Sequence, residues 1–250
     1  MSLAIRSHHR RYAMVALFLA GRLALRYYAE MTKKPMSKRK SGKKASHQNA
    51  RVTMTHSGQR AVFVKGVIGS DPILRDGRSQ IAFVGRSNVG KSSTINALLG
   101  ARFARVSTTP GKTQEINFFL VNGRVYFVDL PGYGFARITA RGAEKIRKHI
   151  LWYLASGEAR PSMVVLITDA AVGVTEYDRE LVTLARKEGY TLMILANKID
   201  KLNQSERVKA LRGLDEEFPD ITIVPFSAKM KENVGMVREE LFLAAKTSKQ

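Results

Sequence analysis

Apolar residues alternate or run together in six short stretches, near 80–85, 115–121, 124–129, 163–168, 191–196 and 221–225. Between and after them, apolar residues recur at helical spacing near 91–99, 141–155, 176–188, 204–218 and 231–247. Strands alternating with helices predict a parallel sheet between helical layers, because a crossover helix is what returns the chain to the same end of the sheet. One connection departs from this pattern. Asn122-Gly123 joins the second and third strands directly, and that dipeptide favours a two-residue hairpin turn, so the second strand should run antiparallel. The expected fold class is α/β: a mainly parallel six-stranded sheet with one antiparallel strand and helices on both faces. Phe118, Phe119, Phe127, Trp152 and Phe218 fall on the apolar faces of these elements and read as core rather than as a base-stacking platform.

In open α/β sheets, ligands sit beyond the carboxyl ends of the strands, and motifs collect there in this chain. Gly85-Arg86-Ser87-Asn88-Val89-Gly90-Lys91-Ser92 follows the strand Gln80 to Val84 and opens a helix. Such a loop points several backbone N–H groups and the positive helix end at one spot, which suits the phosphates of a nucleotide. Lys91 would reach the outer phosphates and Ser92 would give its hydroxyl to Mg²⁺. Asp129-Leu130-Pro131-Gly132 follows the apolar run Arg124 to Val128. There Asp129 would hold Mg²⁺ through water, and Gly132 would offer its N–H to a γ-phosphate, a contact whose loss on hydrolysis frees the following loop. Between these motifs lies Thr108-Thr109-Pro110-Gly111-Lys112-Thr113-Gln114, followed by Glu115. Its three threonines are all candidates for a second Mg²⁺ ligand, and spacing does not choose among them.

Two further motifs address the base. Asn197-Lys198-Ile199-Asp200 ends the run Leu192 to Ala196. A carboxylate there accepts hydrogen bonds from N1–H and the 2-amino group of guanine, whereas adenine would leave it unpaired. Phe226-Ser227-Ala228-Lys229 follows the last strand and would supply backbone amides to the guanine carbonyl. The ligand read from these residues is GTP or GDP with Mg²⁺.

Three stretches, G-R-S-N-V-G-K-S-S at 85–93, T-P-G-K-T-Q at 109–114 and V-D-L-P-G-Y-G-F-A at 128–136, resemble the EngB family. This family, also called YihA or YsxC, comprises TRAFAC-class, Ras-like GTP-binding proteins of bacterial ribosome assembly. The resemblance covers about 61–247 and is carried by the first half. It implies GTP hydrolysis to GDP and phosphate, action in assembly of the large ribosomal subunit on its rRNA, and a requirement in normal cell division and septation. It also implies that Thr113 is the Mg²⁺ ligand beside Ser92, with Lys91, Thr113 and Gly132 as the catalytic set. Two departures stand out. The family has Thr-Lys-x-Asp where this chain has Asn197-Lys198-Ile199-Asp200, and a D-x-R-H-like stretch where it has Asp169-Ala170-Ala171; the second half looks more like a translation-type GTPase. Tyr133 stands where many relatives keep a glutamine that orients the attacking water, which predicts slow intrinsic turnover raised by a ribosomal partner or a cation. Asn88 resembles the asparagine of GTPases that coordinate K⁺ beside the nucleotide; the plainer alternative is a loop residue bonding its own backbone.

Charge adds a second region. Residues 1–60 hold 14 Lys and Arg against one acid, Glu30, and residues 61–250 hold 28 against 20. Lys33 to Lys44 has almost no apolar content and is expected to be disordered alone, available for contact with ribosomal RNA phosphates or simply solvated. We therefore divide the chain into a basic extension, 1–60, and a GTP-binding domain, 61–250. Tyr12 to Gly21 is apolar for only ten residues before Arg22, short of the ~20 that span a bilayer, so no stable membrane insertion is expected. The acid-free start, rich in arginine, resembles a presequence or an interfacial anchor. The expectation is a monomeric bacterial cytoplasmic protein with either an unusual N-terminus or a true start at an internal methionine such as Met31, Met36 or Met54, with import into the mitochondrial matrix as the alternative. The chain contains no cysteine, which excludes disulfides and thiolate metal sites. The five histidines show no ligand spacing beyond the adjacent pair His8 and His9. A different class of function, a nucleotide-gated RNA- or membrane-binding module in which hydrolysis is incidental, competes with the enzyme reading.

Overall fold

The computed structural model describes residues 53–54, 60–101, 103, 115–134 and 139–247. The described residues form eight strands: β1 (Thr53–Met54), β2 (Arg60–Val67), β3 (Ser79–Gly85), β4 (Ile116–Val121), β5 (Val125–Asp129), β6 (Met163–Asp169), β7 (Thr191–Asn197) and β8 (Thr222–Pro225). The helices are α1 (Lys91–Leu99), α2 (Ala140–Ala155), α3 (Glu176–Lys187), α4 (Gln204–Glu217) and α5 (Val234–Thr247). One sheet runs in the order β1-β2-β4-β5-β3-β6-β7-β8. β3 pairs in parallel with β5 and β6, and β6, β7 and β8 continue in parallel. As the hairpin signal requires, β4 runs antiparallel to β5. Asn122 and Gly123 both take positive φ, 51° and 70°, and the Arg124 N–H donates to the Val121 carbonyl at 3.0 Å, the geometry of a type I′ turn.

The alternation of side chains across the sheet decides which helix lies where. Ala82 and Val84 of β3, with Val164, Leu166, Ile194 and Ala196, face α2, α3 and α4. Ile81 and Phe83, with Val165, Ile167 and Leu195, face α1 and α5. Each neighbouring residue along a strand thus serves the opposite core, and β3, buried along its whole length, reads as a continuous apolar run. Phe118, Phe119, Phe127, Trp152 and Phe218 are all buried core residues.

Two elements differ from the sequence reading. The sheet extends past the six expected strands through β2 and β1, so that Thr53, Met54 and Arg60, assigned above to the extension, are paired in it. The sequence of β2 hides its nature: Lys65 and Gly66 interrupt the alternation, and the register shifts between Phe63 and Lys65 where it pairs with β4. Such a bulge breaks the two-residue period on which strand recognition depends. The last helix starts at Val234 rather than 231, because Lys231 and Asn233, each at φ 59°, belong to a turn closed by bonds between Ser227 and Glu232. Lys33 to Lys44 and Tyr12 to Gly21 lie outside the described residues.

Candidate nucleotide-binding site

β3 lies between β5 on one side and β6 on the other, and the chain crosses from β5 to β6 past it, so a crevice is expected at the carboxyl end of β3, the place where this architecture binds ligands. The loop from Gly85 to Ser92 fills it. A Cβ on Gly85 would lie 2.5 Å from the Ile167 carbonyl of β6, so only glycine lets the loop leave the strand this close to its neighbour. Gly90 caps α1 at φ 96°, and a Cβ there would strike the Asn197 side-chain amide. The helices α2, α3 and α4 each have a side chain over their first amides; α1 has none. Its free amides and dipole are what an anionic ligand would satisfy.

The Lys91 ammonium lies in this crevice and pairs with the Asp129 carboxylate, both side chains 10% exposed. The carboxylate, with the hydroxyl that Ser92 carries next to Lys91 in the first turn of α1, offers an all-oxygen donor set. Such a set fits Mg²⁺, which takes oxygen ligands and keeps several waters; Asp129 and Ser92 would hold it here with the phosphates. Gly111, Lys112, Thr113 and Gln114 lie outside the described residues. Glu115 stands just ahead of β4 with its carboxyl group against Gly66 of β2.

Asn197 ties the site together. Buried at the end of β7, its amide donates to the Val89 carbonyl at 2.7 Å, and its oxygen accepts from the Ala228 N–H at 3.2 Å, linking phosphate loop, base motif and last loop through one side chain. Lys198 is held at φ 64°, a conformation that costs a non-glycine residue about 1–2 kcal/mol. In it, the ammonium donates to the Asn88 carbonyl at 2.5 Å and to the Asp169 carboxylate at 2.7 Å. The Ser227 hydroxyl donates to Asp200 at 2.6 Å and accepts from the Met230 N–H at 2.9 Å, so the carboxylate that would read guanine is held in one orientation.

These placements correct some expectations and refine others. The amides of Phe226, Ser227 and Ala228 donate to the Ala196 carbonyl, the Glu232 carbonyl and the Asn197 side chain, contacts that hold the loop in place. Val89, Leu130, Ile199 and Phe226 have their side chains in the core; only their main chain can serve a ligand. Arg86 and Tyr133 form a parallel β-bridge, and Pro131 lies two residues before it. Asn88 takes φ 70°, which accounts for an asparagine there, and its exposed side chain has no hydrogen bond among the described residues.

Tyr133 is the largest surprise. It is 3% exposed, its ring meets Tyr177 of α3 edge-on at 4.4 Å between centroids, and its hydroxyl donates to Asp178. Burial, and then the Asp178 charge, push its ionisation far above the usual phenol range, so it stays a donor at any physiological pH. Asp178 also accepts from the Thr175 N–H and hydroxyl, each at 2.6 Å. A phenol committed in this way points into the core and does not orient a water.

Asp169, Thr175 and Asp178 were not among the candidate site residues. Asp169 was legible by position, since it ends a strand just as Asp129 does. Asp178 was not, because its link to Tyr133 spans 45 residues.

Residues 80–198 match a family described as 50S ribosome-binding GTPase. Residues 154–247, the half that departs most from the family motifs, match the elongation factor Tu GTP binding domain. A probable GTP-binding protein EngB of Aquifex aeolicus is 39% identical over 150 residues, which cover 60% of this chain and 82% of that protein. Its counterpart in Solibacter usitatus is 43% identical over 173 residues, 69% of this chain and 89% of that one. A crystal structure of a probable GTP-binding protein engB superposes with a TM-score of 0.57 over 68% of this chain and 99% of the other, at 22% identity, a likeness of fold.

Proposed function

Because the chain belongs to the EngB family of GTP-binding proteins, we propose that its GTP hydrolysis drives a cycle of binding to and release from the large ribosomal subunit during assembly. The enzyme is a GTPase of the Ras-like fold. The observation that carries guanine recognition is the Asp200 carboxylate fixed by the buried Ser227 hydroxyl; the ribosomal reading is supported by the match to a family described as 50S ribosome-binding. A role in cell division and septation would then follow through the supply of ribosomes. The basic segment ahead of β1 would contact rRNA phosphates, and the domain that begins with β1 would carry the nucleotide. A bacterial cytoplasmic monomer suits these roles. Among the described residues no helix is long and apolar enough to cross a membrane.

Phosphoryl transfer from GTP to water needs positioned charge more than covalent chemistry. Lys91 would exchange Asp129 for the outer phosphates, while Ser92, Thr113 and, through water, Asp129 hold Mg²⁺, which neutralises phosphate charge when bound. Gly132 would present its N–H to the terminal phosphate. With the Tyr133 hydroxyl held by Asp178, intrinsic turnover is slow. The exposed Asn88 side chain would help bind K⁺ beside the phosphates, where a cation lowers the barrier as an arginine finger does. Turnover is then expected to be several-fold faster in KCl than in NaCl at equal ionic strength, and equal rates would remove the potassium ion from the mechanism.

The ribosomal role is tested by cosedimentation of the full chain with purified 50S and 30S subunits, in GDP and in a non-hydrolysable GTP analogue. The expected result is pelleting with 50S that requires the analogue and survives moderate salt. Binding to both subunits alike, indifferent to nucleotide and lost in salt, would reduce the interaction to phosphate attraction and sink the proposal.

A further inference from the structure

Three buried hydroxyls have no hydrogen-bond partner among the described residues: Ser87, Thr94 and Thr168. Thr94 lies within α1 and Thr168 within β6, whereas Ser87 is the third residue of the phosphate loop. Native proteins rarely leave such groups unpaired, and one that sits in a phosphate-binding loop points to an acceptor carried by the ligand. The surroundings say which part of the ligand. The Ser87 N–H donates to the Tyr133 carbonyl at 2.6 Å, which fastens the loop to the residue after Gly132, while the hydroxyl has no partner among the described residues. A Cβ built on Gly132 would lie 3.1 Å from Ser87 Oγ, 3.5 Å from its Cα and 3.6 Å from its nitrogen, so the hydroxyl looks directly onto Gly132. The Tyr133 hydroxyl, the other phenol or alcohol of this segment, is held by Asp178.

We propose that the Ser87 hydroxyl donates a hydrogen bond to the terminal phosphoryl group of GTP, making Ser87 a residue that discriminates triphosphate from diphosphate. This rests on the GTPase reading above and deepens it. The phosphate loop binds both nucleotides through its amides and Lys91, and Ser87 adds a contact that GDP cannot make. On hydrolysis the hydroxyl loses its acceptor together with the Gly132 amide, so both sides of the crevice report the same event.

The test measures dissociation constants of the full-length protein and of Ser87→Ala for GDP and for the non-hydrolysable analogue GMPPNP, with Mg²⁺, beside thermal melts and single-turnover hydrolysis. Wild-type protein that binds neither nucleotide would sink the underlying GTPase reading rather than this inference. Given wild-type binding, the expected result is about tenfold weaker GMPPNP binding with GDP affinity within about twofold, and slower single-turnover hydrolysis. An unchanged ratio of the two affinities would overturn the inference. So would an equal loss for both nucleotides, which marks a packing role in the loop. Should Ser87→Ala fail to fold, Ser87→Gly, which also removes the hydroxyl, is scored by the same ratio.

Discussion

Asp200→Asn is expected to lower GTP affinity by about 10²–10⁴-fold and to admit xanthosine triphosphate. The range follows from the penalty a site built to pair polar groups exacts when they are mismatched. An asparagine retains an oxygen for the Ser227 hydroxyl, which donates at 2.6 Å in the native protein, so the side chain keeps its orientation and the variant should fold. What changes is the edge facing the base. An amide N–H₂ meets the N1–H and 2-amino group of guanine, donor against donor, and each buried group left unpaired costs about 1–3 kcal/mol. Xanthine carries a carbonyl where guanine carries the amino group and restores one pairing. Competition binding with GTP, ATP and xanthosine triphosphate reads this out. A variant that still prefers GTP would show that Asp200 does not face the base.

Lys91→Ala is expected to act twice. It removes the cation that reaches the outer phosphates, and loss of one or two charge-assisted hydrogen bonds weakens nucleotide binding by about 100-fold or more. It also leaves Asp129, 8% exposed, with its carboxylate unpaired, and breaking a buried ion pair from one side costs about 3–5 kcal/mol. For a domain of this size that is a fall in melting temperature of roughly 10 °C. The two effects separate in Lys91→Ala/Asp129→Ala, which should regain stability, because no charge is stranded, without regaining affinity. Melting curves and nucleotide titration of the three proteins decide the matter. A single variant as stable as wild type would mean that the Lys91–Asp129 pair contributes nothing to the fold.

The pair also clarifies what the phosphate loop asks of its neighbours. In the structure Lys91 pairs with Asp129, the residue proposed for Mg²⁺, so metal and phosphate would take up opposite members of one ion pair. Each member of the pair would then face a ligand of opposite charge in the same crevice, the dication at the carboxylate and the polyanion at the ammonium.

Much of this was written in the chain. The strands β3 to β8, the hairpin at Asn122-Gly123, the phosphate loop and the guanine motif all rest on residues a few positions apart, where a period of two or 3.6 and the conformational range of glycine act directly on neighbours. The strand β2 escaped because a bulge and Gly66 erase its alternation, and it exists only because β4 offers an unpaired edge. The links that turn motifs into a site lay beyond any such pattern. Asn197 meets Val89 across 108 residues and Lys198 meets Asn88 across 110, and both contacts follow from strand order rather than from spacing. Tyr133 makes the difference plain. Its position after Gly132 was local information and suggested a group facing the ligand, but the direction of its side chain was set by α3, which offers an aromatic face and a carboxylate within the core. Sequence determined which groups stand at the crevice, because local geometry is fixed by near neighbours; the tertiary structure decided which of those groups remain free to act, because hydrogen bonds in a packed interior are claimed by whatever the fold brings alongside.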